Sequence, residues 1–148
     1  MAQSFTFKFN GVESGLSKAE RTIPREVPEF YGFSQSSNQA FYFIEDISLD
    51  NSIISSDDWV LASRGNTLVG ARQWNGHFTD IPAMGYDGQL STAGYMETGE
   101  QPTFRLVRGK SGEEFIISGD IPSWSNNELY TIGVMTNRLF PSKVVLDD

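Results

Sequence analysis

Short runs of strand-forming residues alternate with turn signals along most of the chain, at a spacing of about ten residues. The strongest run is QAFYFIEDISLD at 39–50. Alternation along it predicts that Phe41, Phe43 and Ile47 face one side of the strand and that Tyr42 and Ile44 face the other. Farther on, DWVLASR and TLVGARQW flank the turn pair Gly65–Asn66, and PTFRLVR and EEFIIS flank GKSG, so each pair of runs predicts a β-hairpin. No segment shows convincing helical periodicity. The pattern therefore predicts an all-β fold, an antiparallel β-sandwich of the jelly-roll or immunoglobulin-like (Ig-like) kind.

The length of 148 residues suits a single domain with one core, so we expect one β-sandwich to span 1–148. Pro24 and Pro28 disfavour regular structure between the first predicted strand, SFTFKF, and the strong strand that follows. Residues 11–37 are therefore predicted to form a long loop or extended N-terminal arm. Residues 136–148 are predicted to form a C-terminal extension.

Residues 74–88 are rich in Gly, Asp and aromatic residues, and they are predicted to form a fixed loop at a corner of the fold. We expect Asp80 and Asp87 to accept hydrogen bonds from the backbone of this loop, and Trp74 and Tyr86 to pack over it. The same two carboxylates are the weak alternative for a calcium site, because carboxylates on loops suit a hard cation. The spacing of an EF-hand is absent, and no other cofactor is predicted.

The chain is acidic, with 19 Asp and Glu against 11 Lys and Arg and a formal net charge of −8. Like-charge repulsion makes nucleic acid and an anionic membrane surface poor partners. Cysteine is absent, which excludes disulfides, thiolate metal sites and a cysteine nucleophile. The start MAQSFTFKFNG has no basic region followed by an apolar one, so no signal peptide is predicted and synthesis in a host cytoplasm is expected.

His77 is the sole histidine of the chain and therefore the sole imidazole that could act as a general base. A serine hydrolase of the common α/β type would also need a Gly-x-Ser-x-Gly turn, which the sequence lacks. We therefore predict that the protein is not an enzyme and that His77 is a polar loop residue.

Two sets of aromatic and apolar residues are candidates for binding a partner. Trp74 and Trp124 occupy turn-like positions, so we expect them to be exposed, where they could contact a protein or stack on a sugar. Trp59 opens a strand in phase with Leu61 and is expected to be buried. The arm carries four apolar residues that are predicted to bind a partner: Ile23, Val27, Phe30 and Tyr31. The alternative is that Phe30 and Tyr31 cap the core of their own domain.

A dense pattern runs from QAFYF at 39–43 through DWVLA, VGARQW and TDIPAMGYDG to TAGY and PTF, which ends at Phe104. It resembles a recurrent β-sandwich module of marine phage and environmental bacterial proteins. The resemblance implies a non-enzymatic part that is displayed on a surface or built into a virion, and it implies no site residue. The chain departs from the pattern at Ser63–Arg64, where an aromatic residue is expected before the turn.

Together, these observations predict a structural protein of a bacteriophage virion, either a capsid decoration (cement) protein or a small tail-surface protein. Its expected partners are the major capsid protein or other virion proteins, and we expect many copies on a particle or a homo-oligomer. An acidic surface suits this role because it keeps particles apart. The alternative is a carbohydrate-binding or receptor-binding module, which would need an exposed aromatic platform.

Overall fold

The computed structural model of the protein describes residues 31–50 and 52–137. This part of the chain contains seven β-strands and, between the fourth and fifth, a short 3-10 turn at Leu90–Thr92. It is therefore all-β, as the alternating pattern predicts. The strands are β1 (Gln39–Ser48), β2 (Trp59–Arg64), β3 (Thr67–Gln73), β4 (Thr79–Met84), β5 (Thr103–Val107), β6 (Glu114–Ile117) and β7 (Leu129–Thr136).

Two sheets pack against each other around a shared core, which confirms the predicted β-sandwich. The smaller sheet has the strand order β4-β1-β7, and the larger sheet has the order β3-β2-β5-β6. Both predicted hairpins are present, β2–β3 around Gly65, whose φ is 58°, and β5–β6. One pair of described strands departs from the antiparallel prediction, because β1 and β7 are parallel. They can pair in this way since β2 to β6 form the long connection that parallel strands require.

The core between the sheets is built from alternate residues of each strand. Tyr42 and Ile44 of β1 are fully buried there, whereas Phe41 and Phe43 face outward and are half-buried. The prediction that these pairs occupy opposite faces is confirmed. The expectation that Ile47 shares the face of Phe41 and Phe43 is wrong, because Ile47 is buried in the same core as Tyr42. Beyond Ile44 the alternation of buried and outward-facing residues shifts by one position. A strict two-residue period in the sequence does not predict such a shift.

The outer face of the larger sheet is also covered. Trp59 and Leu61 of β2 face outward and belong to a second apolar cluster, over which Tyr31 and Phe33 pack. The ring centroids of Tyr31 and Trp59 are 5.4 Å apart. The predicted burial of Trp59 in phase with Leu61 is confirmed. Because apolar residues lie on both of its sides, β2 is buried almost throughout, which an antiparallel strand with one solvated face would not be.

The segment predicted as a fixed loop at 74–88 contains a strand, so that prediction is wrong over Thr79–Met84. Pro82 and the glycines around it suggest a loop, but proline is tolerated in an edge strand because its missing N–H can face away from the ladder. β4 is such a strand, since it pairs with β1 and lies at the end of the smaller sheet. Across from it, Gly70 of β3 lies against the backbone of Pro82, and the two sheets come close together there.

Gly70→Ala is expected to lower the free energy of unfolding by about 1–3 kcal/mol, because overpacking forces the backbone of one strand to move. The added Cβ would lie 1.7 Å from the carbonyl oxygen of Pro82. Gly133→Ala is the matched control, since a Cβ there would meet no atom closer than Glu45 Oε1, at 4.0 Å. Chemical denaturation measures both variants. Equal stabilities would contradict the close approach of β3 and β4.

Candidate functional site

The outward surface of the smaller sheet carries a row of apolar side chains. Phe41 and Phe43 of β1 are half-buried, and Leu129 of β7, beside Phe41, is 69% exposed. Val134, farther along β7, is 56% exposed, and Phe78, at the corner before β4, is 47% exposed. A solvated face of a sheet is normally polar. We call these five residues, Phe41, Phe43, Phe78, Leu129 and Val134, the apolar face.

The outward surfaces of the two sheets differ in how far other residues cover them. On the larger sheet, Tyr31 and Phe33 cover the outward apolar residues and leave Trp59 only 9% exposed. On the smaller sheet, three large apolar side chains of the apolar face remain largely exposed. Exposed apolar residues that occur singly need no explanation, but several on one sheet are typical of a contact surface. Here the charged Glu45 and Asp46 of β1 lie beside Phe78 and Val134.

Phe78 is held in a backbone conformation that aromatic residues seldom adopt, with a φ of 61°. Its N–H donates to the carbonyl of Glu45 on β1, at 3.3 Å. The hydroxyl of the next residue, Thr79, donates to the carbonyl of Gly76 at 2.6 Å and accepts from the N–H of Asn75 at 2.9 Å. A conformation of this kind costs about 1–3 kcal/mol and concentrates at functional positions. These bonds fix Phe78 at the corner of the domain in advance of any contact.

His77 lies beside Phe78 and is a surface residue. Its Nδ1 is 2.9 Å from the carbonyl oxygen of Glu45, an acceptor, so this nitrogen carries the proton. The same nitrogen is 3.9 Å from a carboxylate oxygen of Asp46. Within the described residues, no serine or threonine hydroxyl lies within hydrogen-bond distance of the ring. The contacts of His77 thus attach the corner before β4 to β1.

Asp80 and Asp87, the two carboxylates considered for calcium, do not converge. Asp80 lies on β4, where its Oδ2 is 3.2 Å from a guanidinium nitrogen of Arg72 on β3. Asp87 follows the opposite end of β4 and has a separate set of partners. The expectation that Asp80 binds loop backbone is wrong, because its carboxylate forms an ion pair instead. In residues 31–50 and 52–137, no group of three or more His, Asp or Glu side chains is arranged to hold a metal ion.

Asp87 does bind the backbone of its loop, as the sequence predicts. Its carboxylate accepts from the N–H of Ser37 at 3.0 Å, the N–H of Gln89 at 3.2 Å and the hydroxyl of Thr92 at 2.7 Å. The bond from Ser37, followed by that from Thr92, holds the pKa of this carboxyl well below its usual range. Because the folded-state pKa is lowered, this stabilisation is present above the unfolded-state pKa and is lost as the pH falls.

Trp74 and Trp124, which we expected to be exposed, are both buried in the core. Trp124 is 3% exposed, and its Nε1–H donates to the carbonyl of Ala83 on β4, at 2.9 Å. Gly85 makes room for its ring, because a Cβ at position 85 would lie 2.3 Å from the indole. Turn-like flanking residues led to the wrong prediction: the segment before β7 folds back over the end of the sandwich. The pair cannot form an exposed aromatic platform.

Of the four arm residues predicted to bind a partner, the structure describes only Tyr31. Tyr31 lies against Trp59 and belongs to the cover of the larger sheet, as the core-capping alternative predicted for it. Burial, and next the nearby Glu114, raise the pKa of its phenol, while Arg105 lowers it. These neighbours place Tyr31 over β5 and β6. Ile23, Val27 and Phe30 lie outside the described residues.

No protein-family model matches the chain, and no curated protein matches it. None of the helical segments in the described part of the chain is long and apolar enough to cross a membrane.

Sequence reasoning missed most of the apolar face. Only the alternation of Phe41 and Phe43 with buried residues of β1 hinted at it. Leu129 and Val134 lie in a run for which the sequence gives no sign of exposure, and Phe78 lies in the segment predicted to be a loop. Their exposure depends on which elements cover each sheet, and this is a property of the assembled sandwich.

Proposed function

We propose that this protein is a non-enzymatic structural component of a bacteriophage particle, a capsid decoration protein or a small tail-surface protein, and that it contacts a neighbouring virion protein through the apolar face. The observation that carries the proposal is the exposure of Phe78, Leu129 and Val134 on one side of the domain. The resemblance to a module of phage and bacterial surface proteins supports the location on a particle.

The chemistry of the surface favours a protein as the partner. Interfaces are enriched in aromatic residues, and three of the five residues of the apolar face are phenylalanines. The formal net charge of −8 opposes contact with phosphate groups. A rigid sandwich that presents a fixed Phe78 avoids much of the entropy cost of ordering side chains at an interface.

The carbohydrate-binding alternative loses its two favoured stacking residues, because the rings of Trp74 and Trp124 are both buried. Ile23, Val27 and Phe30 stay predicted contacts of the arm, in addition to the apolar face.

Phe78→Asn is expected to weaken attachment to particles that lack this protein by about tenfold or more, the loss typical of removing an aromatic hot-spot residue from an interface. Asparagine tolerates a positive φ, so the corner is retained while the ring is removed. The measurement is occupancy of purified particles as a function of added protein. Leu90→Asn is the matched control, because Leu90 is 94% exposed and lies outside the apolar face.

The control variant should bind as wild type does. Unchanged occupancy with Phe78→Asn, or equal losses for both variants, would refute attachment through the apolar face. A hydrolytic activity that disappears in His77→Ala would refute the non-enzymatic role.

A further inference from the structure

β7 is an edge strand with one unpaired side. Among the described residues, no strand pairs with the side of β7 that faces away from β1 over Leu129–Val134, and only Thr136, at its end, bridges to Ser118. The N–H of Phe41 donates to the carbonyl of Glu128 at 3.0 Å, and this bond sets the phase of the parallel ladder. Leu129, Thr131 and Gly133 therefore direct their backbone N–H and C=O groups outward.

The other sheet ends carry features that discourage pairing, and β7 does not. β4 contains Pro82 and lies close to β3 through Gly70 and through the ion pair of Arg72 with Asp80. β6 is four residues long and begins with the charged Glu114. β7 is eight residues long, LYTIGVMT, with no charge and no proline. Natural edge strands are usually short, charged or interrupted, because an open edge pairs with other chains.

Gly133 has no function within its own chain that the structure reveals. Its φ is not positive, and a Cβ would meet no atom closer than Glu45 Oε1, at 4.0 Å. Gly70 and Gly85, by contrast, are required by atoms of Pro82 and Trp124 that a Cβ would strike. Glycine weakens the interior of a strand, and there it often marks close approach of another chain.

We propose that β7 binds β7 of a second copy of this chain as an antiparallel pair, about a two-fold axis at Thr131. In this register Leu129 of each copy lies over Gly133 of the other, so that the exposed leucine fills the space that the glycine leaves. Thr131 meets its own counterpart, a favourable cross-strand pair. All three residues direct backbone groups outward, so their pairs are the hydrogen-bonded ones.

The charge distribution fits a second copy as the partner. A two-fold axis places identical residues of the two copies near each other, so a charged edge would meet its own charge. Two chains of net charge −8 also repel each other. Pairing between two copies therefore requires a strand edge without charged residues. β7 has such an edge. Glu128, the charged residue directly before β7, falls opposite Val134 in this register. The pair joins the two smaller sheets into one continuous sheet, and the two apolar faces become one surface.

Gly133→Val is the decisive variant. In the isolated chain the Cβ of the valine meets no atom closer than 4.0 Å, and a β-branched residue has a higher strand propensity than glycine. The melting temperature of the monomer is therefore expected to stay the same or to rise. In the pair it collides with Leu129 of the second copy, so dimerisation is expected to weaken about tenfold or more. Sedimentation equilibrium over a concentration series measures association. Thr103→Val, at an exposed position of the interior strand β5, is the control and is expected to dimerise as wild type does.

A cross-link tests the register. The chain has no cysteine, so a single introduced thiol can pair only with its copy. Hydrogen-bonded antiparallel residues have Cα atoms about 5.5 Å apart, within disulfide range, so Thr131→Cys is expected to form a covalent dimer on mild oxidation. Thr103→Cys is expected to remain monomeric. A monomeric wild-type protein, a Gly133→Val variant that dimerises as wild type does, or equal cross-linking at 131 and 103 would overturn the proposal. These experiments use the free protein, so their outcome is independent of attachment to a particle.

Discussion

Trp124→Ala is expected to lower the free energy of unfolding by about 3–5 kcal/mol, the usual cost of removing a buried tryptophan. The ring is 3% exposed and fills the space beside Gly85. Its removal also leaves the carbonyl of Ala83, which accepts the indole N–H, without that partner. The measurement is urea denaturation followed by far-ultraviolet circular dichroism, since removing the ring changes the fluorescence.

Two comparisons make this result specific. Leu90→Ala should change the stability by less than about 0.5 kcal/mol, because an exposed side chain loses little on truncation. Trp124→Phe should fall between the two, because it keeps most of the apolar volume but loses the hydrogen bond to Ala83. If Trp124→Ala were as stable as Leu90→Ala, the burial of this ring would be disproved.

Asp58→Ala is expected to lower the free energy of unfolding by about 3–5 kcal/mol, the cost of removing one partner of a buried ion pair. The carboxylate is almost wholly buried and lies 3.2 Å from the Nε of Arg108, which is itself 20% exposed. It also accepts from the N–H of Ser55 at 2.8 Å and the N–H of Gly109 at 2.9 Å. Its loss therefore leaves a partly buried cation and two backbone donors without this acceptor. Thermal and urea denaturation measure the effect.

The neighbouring aspartate provides a matched control. The side chain of Asp57 is 42% exposed, and its ion contact is to Lys110 at 3.9 Å, so Asp57→Ala should cost less than about 1 kcal/mol. Adding Arg108→Met to Asp58→Ala should recover part of the lost stability, because the cation is removed while Ser55 and Gly109 stay unsatisfied. Similar stabilities for the Asp57 and Asp58 variants would show that the buried carboxylate does not join the loop before β2 to the hairpin of β5 and β6.

The strands of the larger sheet could be predicted from the sequence because their signals are local. β2 and β3 show alternating or continuous apolar residues on either side of Gly65–Asn66, and the β5–β6 hairpin has glycines in its turn. Such features need only the geometry of neighbouring residues.

The features that could not be predicted depend on contacts between distant segments. Pro82 lies in a strand because β4 happens to be an edge, and no local pattern reveals that position. Trp124 is buried because its segment returns over Ala83 and Gly85. Of the candidate site, the sequence indicated only that Phe41 and Phe43 share a side of β1. Which side of the sandwich stays uncovered is decided by the packing of all the strands.

The parallel pairing of β1 with β7 has a consequence for how the chain folds. Phe41 of β1 pairs with Leu129 of β7, so the first described strand can complete its pairing only after the last one is present. The hairpins β2–β3 and β5–β6, by contrast, can form between segments that are close in sequence. Closing so long a loop is slow, and proteins with many distant contacts fold in milliseconds to seconds. During synthesis, β1 emerges from the ribosome long before its partner and keeps one edge open until β7 has been made. Completion of the smaller sheet is therefore expected to be the late, rate-limiting step, and chaperones that shield strand edges would act on the chain during that interval.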